Sequence, residues 1–340
     1  MTAELGSPPT ADTRTAPTRT PSTISRLRHA LTDGAVIIRL VTVLIFVVAS
    51  IAVPQFATGE NFQTLLQSVA LIGIAAVGLS LITIVGRLFS LSVSATIAIS
   101  AILFAATLRW GPWTALLVSA LFGLLSGAVQ GVLVGRWRTD PIVTTIAFAA
   151  IMLGLGQLFT EGRNIRGDGD ATVFGSTVLG IPGQVFAFLL ATVVAWWLHR
   201  YTVRGRVLSL IGLNEKAALV SGLRSWPIVV LAFGVAGLFA GVAGGLLGAQ
   251  SGQGNLGLGA AFGFDAITAV VVGGVSVKGG RGSPFDAAVG ALLVGLLGNV
   301  LILAGLSYET QLIVKGVLVL GAVVLAGATA LDPTTRRGGR

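Results

Sequence analysis

No cysteine occurs among the 340 residues, which excludes disulfide scaffolds, Cys-ligated metal centres and thiol catalysis. Histidine is almost as scarce: the chain has only two, His29 and His199. Each stands beside an arginine at the edge of an apolar run, where interfacial anchoring fits better than catalysis. Charge is the third shortage. Only 10% of residues are charged, against about 25% in ordinary soluble domains. Meanwhile 54% are hydrophobic, and the mean hydropathy is +0.91. Such a chain cannot cover itself with a water-facing surface, so a soluble enzyme is excluded. No G-x-x-x-x-G-K-[ST] string is present, and Lys278 stands in VKGGRG without the Ser or Thr that a phosphate cradle needs. The sequence therefore predicts a non-enzymatic chain with no ATP site, no metal site and no cofactor of its own. GQGNLG, residues 252–257, fits G-x-G-x-x-G, but no strand pattern precedes it and it reads as loop glycine.

What the chain has in excess is glycine and apolar sequence. Its 47 glycines are roughly twice the usual 7%, and in membrane helices glycine lets backbones approach closely. Residues 1–35, rich in Thr, Pro, Ser and Arg, read as a disordered cytoplasmic tail. Residues 36–330 read as a transmembrane domain, since apolar runs near the ~20-residue length of a membrane span follow one another. Charges, prolines and glycine clusters bound ten of them: 36–53, 62–86, 88–108, 112–134, 141–160, 181–200, 227–249, 262–278, 284–304 and 309–330. The first mimics a signal-peptide core, with Ser50-Ile51-Ala52 as a small-residue site. Apolar runs continue to the end of the chain, however, so it is read as a retained helix. Several runs are interrupted by glycine or polar residues and are candidates for broken or re-entrant helices. A basic cytoplasmic tail, 331–340, follows.

Charge placement gives an orientation. With the N-terminus in the cytoplasm, the outer segments hold Arg109, Arg163 and Arg166, and most of the 22 basic residues fall inside. This asymmetry predicts that both termini are cytoplasmic. The formal charge of +9 does not indicate nucleic acid, because the basic residues punctuate apolar runs instead of forming one patch. The fold class expected is an all-α polytopic plasma-membrane protein of about ten transmembrane helices in a lipid bilayer.

Few charges fall inside the spans, and each is costly there unless paired or hydrated. Arg39 lies in the first turn of its helix and can reach the interface. Asp286, after Ser283 and Pro284, has the position of a helix-start acid. Asp265 and Lys315 remain. At ~1.5 Å per residue they lie one and two turns below the outer face, about 4–5 Å apart in depth, which predicts an intramembrane ion pair.

Two loops stand out. The outer loop 161–180 is polar and glycine-rich and carries Glu161, Asp168 and Asp170. The cytoplasmic loop 199–226 contains LNEKAALVSGL, residues 213–223. Asn214 can cap a short helix with Glu215 in its first turn. Ala217 and Ala218 favour helix, and Gly222 can end it in a left-handed turn. The expected product is a two-turn helix outside the membrane, with small residues on one side that permit close docking to another protein.

TVRGRVLSLIGLNEKAALVSGL (202–223) resembles the cytoplasmic coupling loop of ribose-type ABC importer permeases. The matching positions are Thr202, Gly205, Arg206, Gly212, Asn214, Ala217, Ala218, Ser221 and Gly222. FDAITAVVVGGVSVKGGRGS (264–283) and QLIVKGVLVLGAVVL (311–325) are similar to two further blocks of the same family. The likeness runs in order from about Asn61 to Leu325. One stretch departs: where the family commonly has a GGIDLSVG-like string, this chain has GRLFSLSVSA (86–95), with Ser90 near the usual acid and Ser94 near a usual glycine. A solute other than ribose and a diverged member of a heterodimer are both compatible with that.

The resemblance implies a permease subunit that forms the translocation pathway with a second permease, identical or different. ATPase subunits carrying ATP and Mg would dock at Asn214, Glu215, Ala217, Ala218, Ser221 and Gly222. An extracytoplasmic solute-binding protein would deliver solute outside, where Glu161, Asp168 and Asp170 are the expected docking charges. The implied solute is a monosaccharide or related polyol; branched-chain amino acids and nucleosides are alternatives. A stand-alone secondary transporter, the reading from another class, is disfavoured because the deep spans lack the carboxylates and histidines that carry a coupling proton.

Overall fold

The computed structural model describes residues 34–178 and 180–331. The tail segments before Gly34 and after Leu331, with His29, lie outside the described residues. A helix of 15 to 27 residues covers each of the ten apolar segments. In chain order these are α1 (Gly34–Ala52), α2 (Gly59–Ile84), α3 (Val93–Thr107), α4 (Pro112–Arg136), α5 (Pro141–Thr160), α7 (Gly183–Tyr201), α10 (Ser225–Ser251), α11 (Leu258–Val272), α12 (Pro284–Leu303) and α13 (Tyr308–Leu331). Three shorter helices fill the loops: α6 (Thr172–Gly175), α8 (Val203–Leu213) and α9 (Glu215–Val220). Among the described residues, six helices are long and apolar enough to cross a bilayer. A seventh span results if α7 and α8, bent by 75°, are one broken helix. The chain is a mainly α-helical, polytopic membrane protein.

Helix starts follow local chemistry. The Thr58 hydroxyl accepts from the Asn61 amide at 3.3 Å to open α2. Asp140 accepts from the Val143 amide at 3.0 Å to open α5, with Pro141 in the first turn. Ser283 and Asp286 form a complete capping box at α12, next to Pro284. Each pairing satisfies amide donors that a helix start leaves orphaned.

Burial then sorts the helices. Every residue of α2 from Val69 through Ile84 is buried, the mark of a helix apolar all round and enclosed by others. On α5 only Thr145, Met152, Gly156 and Thr160 are buried, a narrow stripe, while Ile146, Ile151, Leu155, Leu158 and Phe159 are exposed as a lipid-facing surface would be. The tightest pair is α4 against α10. A methyl group built on Gly123 would run into the carbonyl oxygen of Gly237, and one on Gly127 into that of Phe233. Small residues four apart thus bring the two backbones into direct contact.

Two expected spans are shifted. The run 88–108 is helical only from Val93. Gly86 turns the chain in the left-handed region (φ 81°), and the hydroxyls of Ser90 and Ser92 bond to each other at 2.9 Å. Such side chains offer an alternative to helical bonding. The run 262–278 is helical over 258–272 instead. Asn255 Oδ1 accepts from the Gly257 and Leu258 amides at 2.9 and 3.0 Å, which starts α11 early, and Gly274 (φ 93°) stops it.

Loop 161–180 is pinned by short strands. β1 (Ile165–Arg166) pairs antiparallel with β4 (Gln253–Gly254), Ile165 opposite Gly254. Part of the GQGNLG string is therefore strand after all. β2 (Thr177–Val178) pairs with β3 (Ile181–Pro182). Phe174 of α6, buried just before β2, packs edge-on against Trp113 and Phe104 at 5.0 and 6.0 Å.

Close packing of α4 on α10 gives a sharp contrast between glycines. Gly127→Leu is expected to destabilise the purified protein by roughly 1–3 kcal/mol or more, as overpacking does. Gly154, with nothing within 4 Å of an added methyl, accepts alanine without loss. Thermal unfolding in detergent checks both.

Candidate functional site

At the end of the molecule where α2 stops, the chain builds a compact helical elbow. The Thr202 hydroxyl accepts from the Gly205 amide at 3.0 Å and caps α8; Asn214 Oδ1 accepts from the Ala217 amide at 3.0 Å and caps α9. Gly222 ends the elbow with φ 80°. The α9 cap and terminus fall at the residues whose chemistry requires them. The separate helix α8 carries a signal of its own in Thr202, a capping residue three positions before Gly205 that sequence reasoning left inside a loop.

The elbow is locked to the membrane helices in two ways. Arg87, just past α2, places Nη2 2.7 Å from Glu215 Oε1. Beside that pair, backbone meets backbone: a methyl group on Gly212 would strike the carbonyl oxygen of Ile84, and the Gly280 amide donates to that oxygen at 2.8 Å. Gly279 (φ 87°) and Gly280 (φ 74°) belong to the connection between α11 and α12. One junction therefore joins α8, the end of α2 and the α11–α12 turn.

Among the six residues expected to meet a partner at this elbow, Asn214, Lys216's neighbour Ala217, Ser221 and Gly222 are exposed, and Glu215 is half-buried. Ala218 is a correction. It is only 6% exposed and belongs to the apolar core, because the helix turns that face toward α8 and α10. The outward apolar group is Val220, 90% exposed, which composition alone did not single out.

Deeper in the molecule, the structure brings Asp265 of α11 and Lys315 of α13 together. Lys315 Nζ lies 2.8 Å from Asp265 Oδ1 and 2.9 Å from Oδ2, and both side chains are about nine-tenths buried. The lysine head rests on Gly298 of α12, where an added methyl would lie 3.7 Å from Nζ. Next to Gly298 in sequence, Asn299 exchanges two amide hydrogen bonds with Asn61 of α2, at 3.0 and 2.7 Å. Polar contacts, one buried and one part-buried, thus tie α11 to α13 and α2 to α12 at one end of the bundle. The asparagine pair escaped the sequence reading because two neutral amides 238 positions apart carry no local signal.

Arg39 and Asp286 are also joined, at 3.4 Å, so the helix-start acid of α12 additionally holds α1. In the interior, Ser92 Oγ donates to Gln130 Oε1 at 2.6 Å, and the Leu91 amide donates to Thr145 Oγ1 at 3.2 Å. The divergent GRLFSLSVSA stretch is therefore a buried polar break between α2 and α3, contacting α4 and α5.

The loop acids Glu161, Asp168 and Asp170 are all exposed. Glu161 pairs with Arg163 at 3.0 Å. Asp170 accepts from the Thr172 amide at 2.8 Å, and the side chain and then the amide of Thr172 hold its carboxyl below the usual carboxylate range. Among the described residues, no three His, Asp or Glu converge as a metal-binding group.

A bundle of apolar helices, a broken polar segment within it and a capped elbow tied to its helix ends define a polytopic membrane protein. The sequence model described as "Branched-chain amino acid transport system / permease component" matches residues 61–323, and the chain belongs to that family. It is similar to the ribose import permease protein of Bacillus subtilis (strain 168), 35% identical over 83% of this chain and 89% of the relative. It is also similar to the L-arabinose ABC transporter permease protein of Azospirillum brasilense, 31% identical over 93% of each chain. A third relative, the galactofuranose transporter permease protein of Escherichia coli (strain K12), is 32% identical over 83% of this chain and 86% of its own. No solved structure matches the chain.

The buried pair gives a test. Removing one partner strands a buried charge, so Asp265→Ala and Lys315→Ala are each expected to cost about 3–5 kcal/mol. The double variant should lose clearly less than the sum. Thermal unfolding of the four proteins measures the coupling, and additive losses would contradict it.

Proposed function

We propose that this chain is the permease subunit of a plasma-membrane ABC importer for a monosaccharide or related polyol. The observation that carries this reading is likeness over most of both chains to ribose, arabinose and galactofuranose permeases, within the matched family. In this reading the ten long helices are the transmembrane segments, both termini face the cytoplasm, and the elbow of α8 and α9 faces the ATPases. The charge asymmetry between the two ends supports that orientation. A second permease copy, identical or different, completes the pathway, and an extracytoplasmic binding protein delivers solute at the loops bearing Glu161, Asp168 and Asp170. Chemistry stays with the ATPase subunits; this chain supplies the path and the lever.

The coupling route follows from rigid contact. When ATP binding draws the ATPases together, force on α9 reaches α2 through the Arg87–Glu215 pair. It reaches the α11–α12 turn through the contacts of Gly212, Ile84 and Gly280. Because these are backbone contacts, displacement is transmitted with little slack. At the far end, the Asp265–Lys315 and Asn61–Asn299 pairs keep α2, α11, α12 and α13 moving as a unit, so a tilt at the elbow becomes a change of opening at the outer face.

Reconstitution of the permease with its ATPase and binding protein in liposomes tests the function. Uptake of a labelled pentose or hexose is expected only with ATP inside and both partners present. Uptake of leucine or a nucleoside in place of sugars would favour the other solute class, and uptake driven by a proton gradient without ATPase would overturn the assignment. For the elbow, Val220→Asp is expected to lose the copurifying ATPase while leaving thermal stability unchanged. Ala218→Trp, at a buried site, should lower stability itself, by roughly 1–3 kcal/mol.

A further inference from the structure

Beside the elbow, the end of α4 and the start of α10 enclose a cleft of about 300 Å3. Arg136, Arg138 and Arg224 line it, together with Leu219 and Trp226. The ion pairs among the described residues use Arg39, Arg87, Arg163 and Lys315, and none uses these three arginines. The two nearest acids in sequence are engaged elsewhere: Asp140 caps α5 and Glu215 holds Arg87. Arg138 also adopts a left-handed backbone (φ 57°), which is uncommon for a residue with a side chain. Three arginines, whose guanidinium groups are planar forks of donors suited to phosphate oxygens, therefore line one space, and among the described residues none of them is in an ion pair.

What lies next to the cleft indicates the ligand. Trp137 and Trp226 are 68% and 42% exposed, and exposed tryptophans at helix ends sit at headgroup level. Along α4, Leu125, Val129 and Val132 are exposed. They lie eleven, seven and four positions before Arg136, on its own helical face. This exposed face continues through Leu121 and Leu117, and its part nearest the arginine spans about 16 Å at ~1.5 Å per residue, roughly half the ~30 Å hydrocarbon thickness. A basic cleft at the interface joined to an exposed apolar face matches the two parts of one molecule. We propose that the cleft binds the phosphate headgroup of an anionic phospholipid, with Arg136, Arg138 and Arg224 as its ligands and an acyl chain along Leu125, Val129 and Val132. A soluble acidic partner would use the arginines but make no contact with the apolar face.

The site lies against Leu219 and Gly222 of the elbow. A bound lipid would therefore brace the α9 segment against α4, so lipid composition would tune coupling. The inference rests on the permease reading only for which leaflet the lipid occupies.

Lipid retention tests it independently of transport. The full chain is delipidated in detergent, supplied with phosphatidylglycerol or phosphatidylcholine, and examined by native mass spectrometry. One phosphatidylglycerol per chain should be retained in preference to phosphatidylcholine. At the usual energy of an arginine near an anionic headgroup, each Arg→Gln change should weaken retention about fivefold and the triple variant about a hundredfold. Removing the same charge from Arg200, Arg204 and Arg206, outside the cleft, should leave retention unchanged. If the triple variant does not fold, the three single variants carry the test. Equal loss in the control variant would mean a diffuse charge effect and overturn the site. Displacement of the lipid by millimolar inorganic phosphate would make it a free-phosphate site and overturn the lipid assignment. Unchanged phosphatidylglycerol retention in the Arg136→Gln, Arg138→Gln, Arg224→Gln protein with loss of the ATPase would make the cleft a protein contact and overturn it as well.

Discussion

Between two helices surrounded by lipid there is no water to expel, so attraction must come from van der Waals contact at short range. In this protein that contact is made where side chains are missing. The glycines of α4 sit against the carbonyl groups of α10, and the same device recurs where Gly212 meets Ile84 and Gly280. The first contact sets the distance between two central helices. The second fixes the elbow to the end of α2 and to the α11–α12 turn. A methyl group at either place would push two backbones apart, and the polar contacts built around them would lose their reach.

Those polar contacts occupy positions that a bilayer protein can tolerate. Asp265 and Lys315 are buried in protein, not in lipid, and satisfy each other. Asn61 and Asn299 satisfy each other through their two side-chain amides. Ser90, Ser92 and Gln130 are enclosed where the chain leaves helical geometry between α2 and α3, so the polar groups stay within the bundle. The break is neutral, held by hydroxyl and amide hydrogen bonds among Ser90, Ser92 and Gln130.

The ten helices were legible because each carries its own signal, an apolar run bounded by a capping residue, proline, glycine or charge. The α9 cap at Asn214, the left-handed Gly222 and the capping box of Ser283 and Asp286 could be read for the same reason: each involves residues three or four positions apart. Legibility failed where a competing bond came from elsewhere in the chain. The start of α3 was misplaced because Ser92 bonds to Gln130, thirty-eight positions away. Burial of Ala218 was missed because only the neighbouring helices make one face of α9 an inner face.

Composition and hydropathy by themselves determined that this is a membrane protein built from helices, since its apolar runs are near the ~20 residues that a membrane helix needs and about twice what a membrane strand needs. Charge placement gave an orientation, and short-range chemistry gave the caps. Tertiary structure alone decided which glycines touch, which asparagines pair and which arginines share a cleft. Those outcomes depend on how helices distant in sequence rotate about their axes, and an apolar run in lipid leaves that rotation free until neighbouring backbones come into contact.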